Sequence, residues 1–285
     1  MKILVTGANG YLGFGIVKSL LDKGYEVVAT DFKTDNIDER AKKIECDLFE
    51  IDDPYLFFDK PEVLLHLAWR EGFVHYSPSH VEDLYKHYCF IEKIAKSEID
   101  TIAGMGSMHE IGFFEGSINE NTPCNPESYY GISKNALREL TKVITQKNNK
   151  RFLWLRGYYI VGNLELGESI FSKIIKANKE GKKTFPFTMG TNQYDFLDYD
   201  LFCEKVAASV VQKEISGIIN ICSGFPERLA DRVERFILEN KLDIKLEYGA
   251  FPDRKYDSKA VWGDSTKIDL IMNNSKEQII KNNIV

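Results

Sequence analysis

Apolar and polar positions follow two periods along the chain. Short apolar runs at residues 2–6, 25–30, 62–67, 100–105 and 151–156 have buried-strand character, and helical stretches lie between them. The first run gives way to glycines at 7, 10 and 13, then to a helical pattern through Ile16, Val17, Leu20 and Leu21. Gly24 caps that helix before the next run. Residues 122–147, TPCNPESYYGISKNALRELTKVITQK, read as the start and body of an amphipathic helix. Strand and helix alternating to about residue 160 predict an α/β fold: a Rossmann-like, doubly wound parallel sheet with crossover helices on both faces. After Gly162 the alternation breaks down.

Composition agrees with this picture and removes some functions from it. With 285 residues and 44% hydrophobic content, the chain can bury one large core with a small appended lobe. A net charge of −6 and the absence of a basic run argue against nucleic acid and anionic membranes as partners. No apolar stretch approaches the ~18–20 residues that cross a bilayer. The first strand begins at residue 2, which leaves no room for a signal peptide and predicts a cytoplasmic protein. Cys46, Cys89, Cys124, Cys203 and Cys222 are odd in number and lack Cys-x-x-Cys or metal-ligand spacing, so reduced thiols and no metal are expected.

Two constellations carry chemistry. In the first, strand, glycine turn and helix follow in order through Gly7, Gly10, Tyr11, Leu12 and Gly13. Glycines allow close backbone approach, and the helix N-terminus offers free N–H groups to a pyrophosphate. Asp31 ends the second strand, where its carboxylate can accept from ribose hydroxyls and repel a 2′-phosphate. That residue selects NAD, while Lys33, two positions on, leaves NADP open. In the second constellation, Tyr130 and Lys134 stand one helical turn apart on one face. About one such spacing is expected by chance in a chain with 14 tyrosines, so its context decides. A cation beside the phenol is expected to lower its pKa from ~10 towards neutrality.

That context resembles the extended short-chain dehydrogenases/reductases of the nucleotide-sugar epimerase and dehydratase type, over nearly the whole length. The matches run in order: the glycine loop, Asp31, the Asp47-Leu48 pair, the His66-Leu67-Ala68 turn, and Ser107 five residues before Gly112. Tyr130 and Lys134 follow as Tyr-x-x-x-Lys, then Arg156, the Asp195–Asp200 segment and Asn220. The resemblance implies adenine contact at Asp47 and Leu48, and a cofactor lying along Leu67 and Ala68. It makes Tyr130 the proton donor, Ser107 the hydrogen-bond donor to the same oxygen, and Lys134 the ribose holder. It also implies a cofactor domain of 1–162 and 191–222, a substrate lobe of 163–190 and 223–285, and a homodimer through helices at about 80–97 and 129–147.

Departures from the family pattern narrow the reaction. Members that dehydrate a 4-keto sugar carry Asp and Glu after the catalytic Ser or Thr; here Met108 and His109 stand there, and Met cannot transfer a proton. His109 reads either as an acid or base on the sugar or as a packing residue of the pocket. His66 is expected to hold its turn by bonding backbone, and His75, His80 and His87 have no assigned role. Trp69 replaces a small residue and narrows the pocket. Gly157-Tyr158-Tyr159 replaces Pro-x-Asn, with Asn163 as a partial substitute. Arg254 and Arg228 are candidates for the substrate diphosphate. Together these imply reduction of the 4-keto group of a nucleoside-diphosphate 4-keto-6-deoxyhexose. C4 epimerisation is the alternative, and a non-catalytic, NAD(P)-sensing regulator is the alternative of another class.

Overall fold

Ile3 and Val5 pack into one hydrophobic layer and Leu4 into another, and all three are completely buried. Burial on both faces is the signature of a parallel strand covered by helices on each side. The computed structural model describes residues 1–162, 169–252 and 258–283, with side chains as far as 277.

In chain order, the first elements are β1 (Lys2–Thr6), α1 (Tyr11–Asp22), β2 (Glu26–Asp31), β3 (Lys42–Glu45), α2 (Pro54–Phe57), β4 (Val63–His66), α3 (Ser79–Glu82) and α4 (Leu84–Ala95). The middle of the chain forms β5 (Thr101–Ser107), β6 (Gly116–Ile118), α5 (Tyr129–Lys147), β7 (Arg151–Gly157) and β8 (Tyr159–Val161). Then come α6 (Ile170–Lys179), β9 (Thr184–Pro186), β10 (Gln193–Asp198), α7 (Tyr199–Val211) and β11 (Gly217–Ile221). The last elements are β12 (Pro226–Arg228), α8 (Leu229–Glu239), β13 (Lys245–Glu247), β14 (Ala260–Gly263) and α9 (Thr266–Asn283).

Seven parallel strands form the main sheet in the order β11-β7-β5-β4-β1-β2-β3. The order reverses between β1 and β4, which opens a crevice at their C-terminal ends. Helices α1 and α7 cover one face through Ile16, Val17, Leu20, Phe202, Val206 and Val210. Helices α4 and α5 cover the other through Phe90, Ile91, Ile94, Leu137 and Ile144. The doubly wound α/β architecture expected from the sequence is therefore present.

Two features depart from expectation. Strand β3 was not anticipated: its sequence, Lys-Lys-Ile-Glu, is charged because it is the outer strand and is only partly buried. The expected division at 191–222 also cuts through a second sheet. In that sheet β10 lies between β12 and β14, β6 extends it beyond β14, and β8 pairs β10 in parallel. Only α7 and β11 of the 191–222 stretch belong to the main sheet and its helical layer. Residues of β6 and β8, assigned by sequence to the cofactor domain, build the second sheet instead.

Candidate active site

The crevice continues into one cleft of about 1580 Å³, lined by the ends of the main sheet and by the second sheet. That exceeds the ~300–1,000 Å³ of a pocket for one drug-sized ligand, so a dinucleotide and a second ligand can share it.

The cofactor end is built by the turn after β1. Gly7 has φ +68, and a Cβ there would lie 2.6 Å from the Ala68 nitrogen, so the turns after β1 and β4 touch only because this residue is glycine. Gly10 caps α1 without a side-chain hydrogen bond, and no acidic side chain occupies the first turn. The helix N-terminus thus keeps its N–H groups for an anionic ligand. Asp31 accepts from the Asn9 amide at 3.0 Å and the Phe32 amide at 2.8 Å, which fixes its carboxylate at the cleft wall. Asp47 accepts from the Phe49 amide at 3.0 Å, and Leu48 and Cys46 line the cleft beside it. Tyr11, Leu12, Gly13, Leu67 and Ala68 complete this wall. A dinucleotide fits these residues: a glycine cradle, an open helix end and an acid at the ribose position. Lys33 is exposed and is not part of the lining.

Ser107, Tyr130 and Lys134 converge at the other end of the crevice. Ser107 closes β5, and Ser128 starts α5 by accepting from the Gly131 amide at 3.1 Å, which brings Tyr130 to the mouth of the sheet. Tyr130 and Ser107 both line this end of the cleft. Burial pushes the Tyr130 phenol up to about 12, against the opposing effect of the Ser107 hydroxyl. The expected lowering by Lys134 is therefore corrected. The Lys134 ammonium donates to the Met105 carbonyl at 3.0 Å and sits 3.9 Å above the Trp69 ring, and burial brings it down to about 7. Desolvation dominates at both groups, so Tyr130 is a phenol, not a phenolate, at neutral pH.

All five histidines of the chain gather around this pair, a clustering that their sequence positions did not reveal. His66 bonds the Thr6 hydroxyl through Nδ1 and His87 through Nε2, both at 2.8 Å, so its partners are side chains and not the backbone expected from sequence. The Thr6 hydroxyl in turn accepts from the Ala68 amide at 3.4 Å, which ties the chain of groups to the cofactor turn. Trp69 stacks on His87 at 4.7 Å and donates from its indole nitrogen to His80 Nδ1 at 3.0 Å. His80 Nε2 donates to the Val74 carbonyl at 3.0 Å, which fixes its tautomer. His75 lies on the Tyr130 ring, and its own ring meets that of His109 at 4.3 Å. Burial lowers His87 to about 3 and His109 to about 4, and it lowers His75 and His66 as well. His109 is thus a neutral pocket residue near pH 7, which favours its packing role over acid chemistry.

Among the remaining candidates, Trp69, Met108 and Tyr158 line the cleft. The Tyr158 hydroxyl is buried and has no hydrogen-bond partner among the described residues. Arg228 does not line the cleft; it is half exposed and pairs with Asp231 at 3.6 Å, the ordinary fate of a charged residue at a helix start. Asn163 and Arg254 lie outside the described residues. Sequence reasoning missed Glu110 as well as His75. Ser107-Met-His-Glu110 is a capping-box pattern readable from the sequence, whereas His75 sits in a loop with no periodic signal.

A model of the family described as "NAD dependent epimerase/dehydratase family" matches residues 3–222. A dTDP-6-deoxy-L-talose 4-dehydrogenase (NAD(+)) of Aggregatibacter actinomycetemcomitans is 43% identical over 92% of this chain and 99% of its own. An uncharacterized UDP-glucose epimerase of Bacillus subtilis (strain 168) is 27% identical over 75% of this chain and 73% of its own. Among solved structures, a UDP-glucuronic acid 4-epimerase from Bacillus cereus superposes with a TM-score of 0.80 at 24% identity, covering 96% of this chain and 93% of that one. A dTDP-glucose 4,6-dehydratase from Streptomyces venezuelae gives 0.79 at 18% identity, covering 94% and 90%. At such identities the superpositions establish the shared fold, and the family match establishes the rest: the chain belongs to the NAD dependent epimerase/dehydratase family of short-chain dehydrogenase/reductase enzymes.

Proposed function

We propose that the protein reduces the 4-keto group of a nucleoside-diphosphate 4-keto-6-deoxyhexose, with NADH as reductant, in deoxysugar synthesis for surface polysaccharide. The observation that carries this reading is the convergence of Ser107, Tyr130 and Lys134 at one end of the cleft, with Met108 beside them. As hydride reaches a carbonyl carbon, negative charge grows on the oxygen. A phenol held neutral by burial supplies the proton, and the Ser107 hydroxyl donates to the same oxygen. A nicotinamide cofactor, when bound, would supply the hydride. Lys134, which here donates to the Met105 carbonyl, is the residue that would hold the nicotinamide ribose. Met108 offers no proton, so loss of water from the sugar lacks one of its catalysts.

The Aggregatibacter relative supports the same chemistry, since a 4-dehydrogenase and a 4-keto reductase exchange the same alcohol and ketone in opposite directions. Relatives named as epimerases keep C4 epimerisation as the second reading. The bulk of Trp69 and Tyr158 in the cleft argues against it, because an epimerase must let its keto intermediate turn over. A purely cofactor-sensing role has no use for an assembled Ser107–Tyr130–Lys134 site. The test is cofactor stoichiometry with paired dTDP-4-keto-6-deoxy and dTDP-4-hydroxy-6-deoxy sugars: reduction of the ketone consumes one NADH per sugar, whereas epimerisation converts the 4-hydroxy sugar to its C4 isomer and consumes none.

Two further parts of this reading concern assembly and location. Exposed Tyr85 on α4, with Ile132, Leu140 and Val143 on α5, supports a homodimer through these helices. Sedimentation of the full chain as a monomer at micromolar concentration would count against it. All five cysteines are free thiols, which suits the reducing cytoplasm. Among the described residues no helix is long and apolar enough to cross a membrane.

A further inference from the structure

Behind the Ser107–Tyr130 pair lies a carboxylate that the proposed reaction does not itself use. Glu110 is completely buried at the end of the 108–110 turn. Its Oε1 accepts from the Ser107 amide at 2.7 Å and from the Trp154 indole at 2.9 Å. Its Oε2 accepts from the same indole at 3.0 Å and lies 3.4 Å from the Arg156 guanidinium and 3.8 Å from that of Arg138. A buried carboxylate is costly unless it is paired and hydrogen-bonded, and this one is tied to β5, β7 and α5 at once. The backbone is shaped around it: a Cβ on Gly106 would fall 2.1 Å from the Trp154 indole nitrogen and 2.5 Å from Glu110 Oε1.

We propose that Glu110 is a positioning residue of the active site, locking the Ser107 peptide so that the hydroxyl faces Tyr130 and setting a fixed negative charge behind the Tyr130–Lys134 pair. The lock has two separable parts. One is geometric: Glu110 completes a reciprocal capping box, in which Ser107 Oγ accepts from the His109 amide at 3.3 Å while the carboxylate holds the Ser107 amide. The other is electrostatic: the Glu110 charge favours the protonated forms of both Tyr130 and Lys134. The other groups around the site are His75, His80 and His109 beside Tyr130, and His66 and His87 near Lys134. Arg138 and Arg156 face Glu110 itself, and Glu139 holds the far side of Arg138 at 2.6 Å.

The inference rests on Ser107 and Tyr130 being catalytic, and its test separates the two claims. Titration of tyrosinate absorbance needs no substrate: the difference between the wild type and Tyr130→Phe isolates the Tyr130 midpoint. Repeating it in a Glu110→Gln background should give a lower midpoint, and the alkaline limb of kcat should move to lower pH with it. Glu110→Asp keeps the charge but draws it back from the Ser107 amide. It should leave midpoint and limb near wild type while kcat falls at least fivefold and the NADH KM stays within twofold. A Glu110→Gln protein with reduced thermal stability but an unchanged midpoint and limb would overturn the electrostatic part. A Glu110→Asp protein with wild-type kcat would overturn the positioning part. Absence of wild-type turnover on any 4-keto sugar would instead sink the reductase reading, and the tyrosinate midpoint would still decide for or against the Glu110 charge.

Discussion

His75 lies flat on the ring of Tyr130, with centroids 5.2 Å apart and planes 9° from parallel, and its carbonyl accepts the Tyr130 amide at 3.0 Å. The loop after β4 thus forms one wall around Tyr130, and burial by such walls is the largest cause of its raised pKa. His75→Ala should lower kcat by about three- to tenfold, the equivalent of ~0.5–1.5 kcal/mol of ring packing. It should also lower the tyrosinate midpoint of Tyr130 by admitting water. An unchanged midpoint would show that the wall does not set it.

Tyr130→Phe removes the proposed proton donor and preserves the ring. Loss of general acid catalysis is worth about 10²–10⁴ in rate, so kcat should fall in that range while NADH binding, followed by fluorescence, changes little. Retention of more than a tenth of the wild-type kcat would mean that another group delivers the proton.

Asp31 is fixed by two backbone amides at the ribose end of the cleft, and Lys33 lies outside the lining. NADH should therefore be preferred over NADPH. Asp31→Asn keeps the shape but removes the repulsion of a 2′-phosphate, so the NADH:NADPH ratio of kcat/KM should fall at least about tenfold, or ~1.4 kcal/mol. A ratio unmoved by the substitution would place the discrimination elsewhere.

His87 is buried neutral, with its pKa lowered to about 3 in the folded protein against ~6.5 unfolded. Between those values the unfolded chain binds the proton that the folded chain refuses, so stability falls as pH drops below ~6.5. The slope contributed by this one group approaches ~1.4 kcal/mol per pH unit. Thermal melts from pH 7 to pH 4 should show a falling Tm, and His87→Phe should flatten that slope. An identical slope in the variant would assign the acid sensitivity to other groups.

The cofactor half of the site was legible because its physics is local. A buried strand, a glycine turn, an open helix end and an acid at the next strand all lie within residues 2–31, and the spacing alone places them. Tyr130 and Lys134 were legible as a pair, but their charge states were not. Those depend on burial by Trp69, His75 and His80, which arrive from the loop after β4 and the start of α3, about fifty to sixty residues earlier in the chain. Strand β3 escaped because an edge strand with three charged residues carries no apolar run. The second sheet escaped because it pairs residues as distant as Ser117 and Trp262, a relation no local pattern encodes. Glu110 occupies a middle position: its capping-box spacing is visible in sequence, but the two arginines and the indole that make its burial tolerable are visible only in the fold.

The proposed reduction at C4 is followed by mixing the purified chain with NADH and a dTDP-4-keto-6-deoxyhexose and recording both cofactor absorbance and the sugar product; a parallel reaction offers the 4-hydroxy sugar with NAD. One NADH should be lost for each 4-hydroxy sugar formed from the ketone. No NADH loss with the ketone, together with conversion of the 4-hydroxy sugar to its C4 isomer at no net change in cofactor, would mean that the protein is an epimerase and not a reductase.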